Sequence, residues 1–99
     1  MSFVTTQPEA LTAAAANLAG IGTTMSAQNA AAAAPTTGLV PAAADEVSAL
    51  TAMQFAAHAE IYQQISAHAA LIHQQFVAAL TMSSGSYADT EAANAVAAR

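Results

Sequence analysis

The chain has 99 residues, Arg99 as its single Lys or Arg, and a formal net charge of −5. A binder of duplex nucleic acid needs Lys and Arg to displace counterions from phosphates, so this function is close to excluded, and attraction to an anionic membrane surface is disfavoured for the same reason. The chain has no cysteine, which excludes disulfides, zinc–thiolate sites and thiol nucleophiles.

The composition favours helices with a weak core. Apolar residues make up 56% of the chain, aromatic residues only 5%, and nearly a third of all residues are alanine. Alanine is the best helix former, yet it buries little surface per residue. At this length we expect one all-α domain that is not stable as a solitary monomer. We expect neither a secretory signal peptide nor a transmembrane segment, because the basic and long apolar stretches that they require are missing.

The first predicted helix spans about 8–34. Thr6 and Glu9 have the spacing of a capping box, in which each side chain bonds the other residue's backbone N–H. Pro8 suits the first turn, where a missing N–H costs nothing. The sequence predicts that Pro35 ends this helix.

A turn is predicted over 35–41, because this stretch contains two prolines and a glycine. The second helix follows over about 42–84 and is expected to end at Gly85. These elements form a predicted hairpin over residues 1–85. The remaining residues, 86–99, contain few large apolar side chains, so we expect a flexible C-terminal tail.

The apolar residues recur at helical spacing, and the second helix carries two apolar stripes, which require two neighbours. Folding about the 35–41 turn would place Leu18 opposite His58 and would leave helix 2 beyond about residue 70 without cover. An exposed apolar segment of this kind marks an interface. We therefore expect an antiparallel two-helix hairpin that forms half of an elongated four-helix bundle with a partner hairpin.

The periodicity does not separate partner contacts from contacts within the hairpin. The predicted partner interface consists of large apolar residues on these stripes: Leu11, Leu18, Ile21, Phe55, Ile61, Tyr62, Ile65, Ile72, Phe76 and Leu80.

Residues that could carry catalysis are few. The histidines at 58, 68 and 73 lack the spacing of a metal pair, and no serine has a recognisable base beside it. We expect no enzymatic activity, no metal and no cofactor. Tyr87 and Glu91 lie four residues apart, so one helical turn would place both on one face as a recognition element.

Several of these features together resemble the mycobacterial PE family, which is named for its Pro-Glu pair. They are Pro8-Glu9, the alanine-rich hairpin, the turn sequence Pro41-Ala42-Ala43-Ala44-Asp45 and the C-terminal Tyr87-x-x-x-Glu91. The resemblance covers essentially the whole chain. No long glycine-rich extension follows, so the chain is similar to a short member with the PE domain alone.

The resemblance implies a partner and a route of export. PE proteins pair with PPE proteins, hairpin against hairpin, and the pair leaves the cytosol through a type VII secretion system, to be secreted or held at the cell surface. An EspG-type chaperone binds the PPE partner and so meets the PE chain only indirectly. The Tyr-x-x-x-Asp/Glu motif serves as the secretion signal, which here maps onto Tyr87 and Glu91.

Two alternatives to a secreted PE–PPE heterodimer stay open. One is a homodimeric helical bundle with an adaptor role. The other is a component of solute uptake at the outer membrane. Some PE proteins are linked to such uptake, and others to host interaction and virulence, but the residues of this chain assign it neither role.

Overall fold

The computed structural model of the protein describes residues 4–99, so the first three residues of the predicted hairpin lie outside the described part. Two α-helices, α1 over Pro8–Thr37 and α2 over Glu46–Ala97, are joined by residues 38–45. The described residues contain no β-strand. The predicted all-α class with two helices is therefore confirmed, whereas several helix boundaries differ from those expected.

The N-terminus of α1 is capped differently from the prediction. The carbonyl of Gln7 accepts hydrogen bonds from the N–H groups of Ala10 and Leu11, at 3.0 and 3.3 Å, so Gln7 occupies the N-cap position and Pro8 is the first helical residue. The Thr6 hydroxyl donates to Glu91, far along the chain. The expected capping box between Thr6 and Glu9 is wrong, because Thr6 lies one residue too early to cap this helix.

Helix α1 continues past Pro35 to Thr37, and the expected end at 34 is wrong. Proline removes one backbone N–H from the helix, but the hydroxyls near it donate to neighbouring carbonyls. The Thr36 hydroxyl donates to the Ala32 carbonyl at 2.6 Å, and the Thr37 hydroxyl donates to the Ala33 carbonyl at 2.7 Å. These hydroxyls add hydrogen bonds to the last turn of α1, whereas the carbonyl that loses its usual backbone donor at Pro35 is that of Ala31.

Helix α2 begins at Glu46 rather than at about 42 because Asp45 caps it. The Ser48 N–H donates to Asp45 Oδ2 at 3.1 Å, and the Ser48 hydroxyl donates to Asp45 Oδ1 at 2.7 Å. This is the N-cap arrangement that short acidic side chains favour. The hydrogen bonds from the Ser48 side chain and backbone hold the pKa of the fully exposed Asp45 carboxyl below its ordinary value of 3.8.

The other end of α2 lies at Ala97, so the helix passes through Gly85 and includes most of the segment expected to be a flexible tail. That expectation is wrong. A glycine inside a helix lowers helix stability by about 1 kcal/mol relative to alanine. Contacts on either side of Gly85 offset this loss. Ser84 bonds the Pro8 carbonyl, and Glu91 accepts two hydrogen bonds from Thr6.

The chain packs as two units. The connector unit is Gly22–Ile72, and the terminal unit combines the described residues up to Ile21 with His73–Arg99. In the terminal unit, His73 Nε2 lies 2.6 Å from the Leu18 carbonyl, and Thr12 lies beside Ser84. The two helices are antiparallel in this unit, because later residues of α2 contact earlier residues of α1.

This pairing corrects the predicted register. Leu18 lies beside His73 and not beside His58, and Ser84 lies beside Pro8 at the start of α1. The segment of α2 beyond residue 70 therefore has α1 as its neighbour within the hairpin. The chain reverses over 38–45 and not over 35–41, which accounts for about half of the 15 positions that separate His58 from His73.

The face that α2 turns toward α1 consists largely of small and polar residues, with Val77 and Leu80 as its larger apolar members. Buried and half-buried positions recur at alternating spacings of three and four, as in coiled coils. In the connector unit they are Ala49, Ala52, Ala56, Ala59, Gln63, Ser66 and Ala70, and in the terminal unit they are His73, Val77, Leu80, Ser84 and Glu91. We call this set the inner stripe. Small side chains let helix axes approach closely, which leaves the large apolar residues to other faces.

Candidate interaction surface

The predicted interface residues divide into two groups. Leu11, Leu18 and Leu80 are half-buried, which places them against the other helix of the hairpin. The others are exposed on the described chain, and the exposed fractions are 60% for Phe55, 62% for Ile65 and 56% for Phe76. The remaining exposed members of the predicted set are Ile21, Ile61, Tyr62 and Ile72.

Most of these exposed residues form a second stripe along α2. Phe55, Tyr62, Ile65, Ile72 and Phe76 each precede an inner-stripe residue by one position. We call these five the outer stripe. One residue corresponds to a rotation of about 100° around the helix, so the outer stripe borders the inner stripe along one side of α2. Ile61 lies two positions before Gln63, which places it on the back of the helix.

The outer stripe carries the exposed aromatic residues Phe55, Tyr62 and Phe76, whereas the other side of α2 has a more mixed composition. In an antiparallel pair, the positions that precede the inner residues lie on the same side of both helices, because the helices run in opposite directions with the same hand. In the terminal unit this places Ile21 of α1 on the same side as Phe76 of α2. The residues that follow the inner positions form the other side, which combines exposed polar residues with three exposed large apolar ones. The polar residues include Glu9, Thr23, Glu60, Gln64 and Gln74, and the apolar ones are Leu50, Met53 and Leu71.

An amide and a phenol join the helices in the connector unit. The Tyr62 hydroxyl donates to Asn29 Oδ1 at 2.6 Å, and the Gln63 side-chain amide donates to the Asn29 carbonyl at 2.9 Å. The Tyr62 ring remains half exposed. The hydrogen bond therefore orients the ring within the outer stripe.

Hydroxyls join the helices in the terminal unit. Ser84, which is only 5% exposed, donates to the Pro8 carbonyl at 2.9 Å and lies 2.5 Å from the Thr12 hydroxyl. Thr12 also approaches the Pro8 carbonyl, at 3.1 Å. Residue type alone does not distinguish Ser84 from the other serines near the end of α2. Its position in the three-and-four series of the inner stripe is the signal that could have identified it.

The two residues of the predicted recognition element differ in their surroundings. Tyr87 is 46% exposed. Glu91 is half-buried, and its Oε1 accepts hydrogen bonds from the Thr6 N–H and the Thr6 hydroxyl, both at 2.9 Å. Both belong to helical turns of α2, where their separation of four residues places them on the same face.

Metal coordination and membrane spanning each require particular features, which the described residues 4–99 lack. Within that range no group of three His, Cys, Asp or Glu residues could hold a metal ion. Neither α1 nor α2 is both long and apolar enough to cross a membrane.

Comparison with known proteins assigns the chain to a family. The model of the PE family matches residues 4–94. The chain belongs to the PE family. PE family protein PE13 of Mycobacterium tuberculosis is 67% identical over 98 residues, which cover 99% of this chain and 99% of that protein. The resemblance drawn from the sequence is thereby confirmed, and the Pro8-Glu9 pair that gives the family its name begins α1.

Other relatives in the PE family are longer. PE-PGRS family protein PE_PGRS33 of Mycobacterium tuberculosis is 62% identical over 95 residues, which cover 96% of this chain and 20% of that protein. PE family protein PE8 of the same organism is 58% identical over 98 residues, or 99% of this chain and 36% of that protein. The chain thus spans a minor part of these relatives, and their full activities do not transfer to it.

Proposed function

We propose that this PE-family chain is the non-enzymatic half of a heterodimer with a PPE protein, and that it carries the signal for type VII secretion of the pair. One observation supports the pairing most directly: the outer stripe presents its large apolar side chains to solvent, whereas the inner stripe consists largely of alanine and polar residues. Burial of an exposed aromatic or large aliphatic side chain stabilises an assembly by about 1.5–3 kcal/mol.

The surface also has the pattern of a helix-packing seam. Its five residues recur at three, four or seven positions, the spacing by which knobs from one helix enter holes on another. We infer that a PPE hairpin packs on this side and completes a four-helix bundle. Leu11, Leu18 and Leu80 then stabilise the hairpin itself, and Ile21, Phe55, Tyr62, Ile65, Ile72 and Phe76 contact the partner.

Pairing is tested by co-expressing the chain with PPE proteins one at a time. Phe76→Asp places a charge on the outer stripe, and burial of an unpaired charge is strongly unfavourable, so the one-to-one complex is lost. The matched control is Gln74→Asp, which adds the same charge two residues away, at an exposed polar position outside the outer stripe, and leaves the complex intact.

Gel filtration with mass measurement separates the alternatives. A heterodimer with the wild-type chain and Gln74→Asp but not with Phe76→Asp supports the proposal. A stable homodimer of the chain alone would favour the adaptor alternative. Equal recovery of both variants would show that the outer stripe is not the partner surface.

We further propose that Tyr87 and Glu91 are the signal that the secretion machinery reads after the pair assembles in the cytosol, where an EspG-type chaperone binds the PPE subunit. Exposure of Tyr87 on a helical turn shared with Glu91 supports this role. Tyr87→Ala is expected to assemble normally but remain in the cell, whereas Asp89→Ala, a change of an exposed residue between them, is exported. Immunoblots of cell and culture-filtrate fractions measure both, and export of Tyr87→Ala at the wild-type level would refute this role.

A further inference from the structure

Thr6 bonds Glu91 across 85 positions of sequence. Its backbone N–H and its hydroxyl both donate to the same carboxylate oxygen, each at 2.9 Å. Both residues are half-buried, and hydrogen bonds to a charged acceptor are stronger than those between neutral groups. The pair therefore attaches the segment before α1 to the last turns of α2.

Apolar burial contributes little to holding these last turns. Beyond Gly85, the large apolar residues of α2 are Tyr87 and Val96, and they are 46% and 64% exposed. The glycine itself lowers helix stability at the start of this segment. Several hydrogen bonds described above join α2 to the N-terminal part of the chain. Among them, the bonds from Thr6 to Glu91 lie closest to the end of α2.

We propose that Thr6 is a positioning residue for Glu91, and that the export signal is a helical surface assembled from both ends of the chain rather than a linear C-terminal peptide. This inference rests on the proposed role of Tyr87 and Glu91 in export. The hydrogen bonds keep residues 86–97 helical and fix the Glu91 carboxylate beside the N-terminal segment. Tyr87, one turn earlier, is thereby held in a defined orientation.

The arrangement makes the signal conditional on folding. When the Thr6 bonds are absent, Glu91 is free to leave the hairpin, and the last turns of α2 fray into solvent. A receptor that reads both side chains in one geometry then meets a mixture of conformations. Recognition weakens even though the Tyr-x-x-x-Glu sequence is unchanged.

The test uses three variants of the full chain, each in the complex with its co-expressed PPE partner. Thr6→Val removes the hydroxyl and keeps the side-chain shape, Thr6→Ser keeps the hydroxyl, and Thr5→Val makes the same exchange at the exposed neighbouring residue. Hydrogen–deuterium exchange of residues 86–97 reports on the helix, and fractionation of cells and culture filtrate reports on export.

Loss of the hydroxyl bond in Thr6→Val is expected to speed exchange in 86–97 about fivefold and to reduce export at unchanged complex yield. Thr6→Ser and Thr5→Val are expected to match the wild type in both measurements. Exchange or export of Thr6→Val at the wild-type level would overturn the inference, as would loss of the complex itself, because Thr6 would then serve assembly rather than positioning.

Tyr87→Ala, run in parallel, separates this inference from the proposed function. If Tyr87→Ala is retained in the cell and Thr6→Val is exported, the motif is read as a linear peptide and only the role of Thr6 fails. If both are exported normally, the export role of the motif fails as well.

Discussion

Replacement of the buried Ser84 by alanine is the most direct test of how this hairpin holds together. Its hydroxyl, the Thr12 hydroxyl and the Pro8 carbonyl approach one another in three contacts, but the two hydroxyls have only two hydrogens to donate. In either arrangement one hydrogen goes to the carbonyl and the other joins the two hydroxyls. After Ser84→Ala, Thr12 still donates to Pro8, so the net loss is one hydroxyl–hydroxyl bond.

A typical intramolecular hydrogen bond contributes about 1 kcal/mol to stability. For a chain of this size such a loss lowers Tm by roughly 4–8 °C. Alanine also has a higher helix propensity than serine, and this gain opposes the loss. The control Ser86→Ala, at an exposed position of the same helix, carries the propensity gain alone, so the difference between the two variants isolates the hydroxyl.

Thermal unfolding followed by circular dichroism at 222 nm measures this difference, with the wild type and both variants purified in the same assembly. Ser84→Leu serves as a second variant, because a larger side chain at a position only 5% exposed overpacks the helix contact by about 1–3 kcal/mol. If Ser84→Ala unfolds at the same temperature as Ser86→Ala, and Ser84→Leu does so too, the packing argument for this site is refuted.

Three further predictions concern the rest of the hairpin. Gly85→Ala is expected to stabilise the protein by about 0.5–1 kcal/mol in the same unfolding assay, because an added Cβ meets nothing within 4 Å; a lower Tm would contradict this. The depressed pKa of Asp45 means that its stabilising effect is present above the unfolded pKa and is lost as the pH falls through the folded pKa, below 3.8. Protection of the Ser48 amide from exchange, measured relative to the intrinsic exchange rate at each pH, should therefore fall only in that acidic range, and a fall near neutral pH would refute the assigned cap. Tyr62→Phe removes the bond to Asn29 but keeps the ring, so we expect about 0.5 kcal/mol lower stability with unchanged partner binding, and loss of the complex would show that the hydroxyl itself contacts the partner.

Local signals in the sequence were sufficient for the class of fold and for the excess of apolar surface. Helical spacing of the apolar residues and their separation by proline and glycine predict two helices, and the described residues 4–99 form two. The presence of Pro8 in the first turn follows from its own chemistry, since it lacks only an N–H that the helix does not use there.

Signals of the same local kind failed at Pro35 and Gly85. Each of these residues lowers the stability of its helix. The contacts of neighbouring residues determine whether this loss is offset. At Pro35 the hydroxyls of Thr36 and Thr37 add hydrogen bonds within the same turn. At Gly85 the Ser84 hydroxyl donates to the Pro8 carbonyl and Glu91 accepts from Thr6, in both cases across more than 70 residues of sequence, which no local pattern reveals.

The sequence by itself determined that this PE-family chain folds into helices and that its large apolar residues exceed what two such helices cover, because both properties are sums over residues and their spacing. Only the tertiary structure decided which stripe of α2 faces α1. That choice depends on where the chain reverses and on hydroxyl, amide and carboxylate pairs between distant residues. It buries alanine and Ser84 inside the hairpin and leaves Phe55 and Phe76 exposed, because small side chains allow the closer approach of the two helix axes.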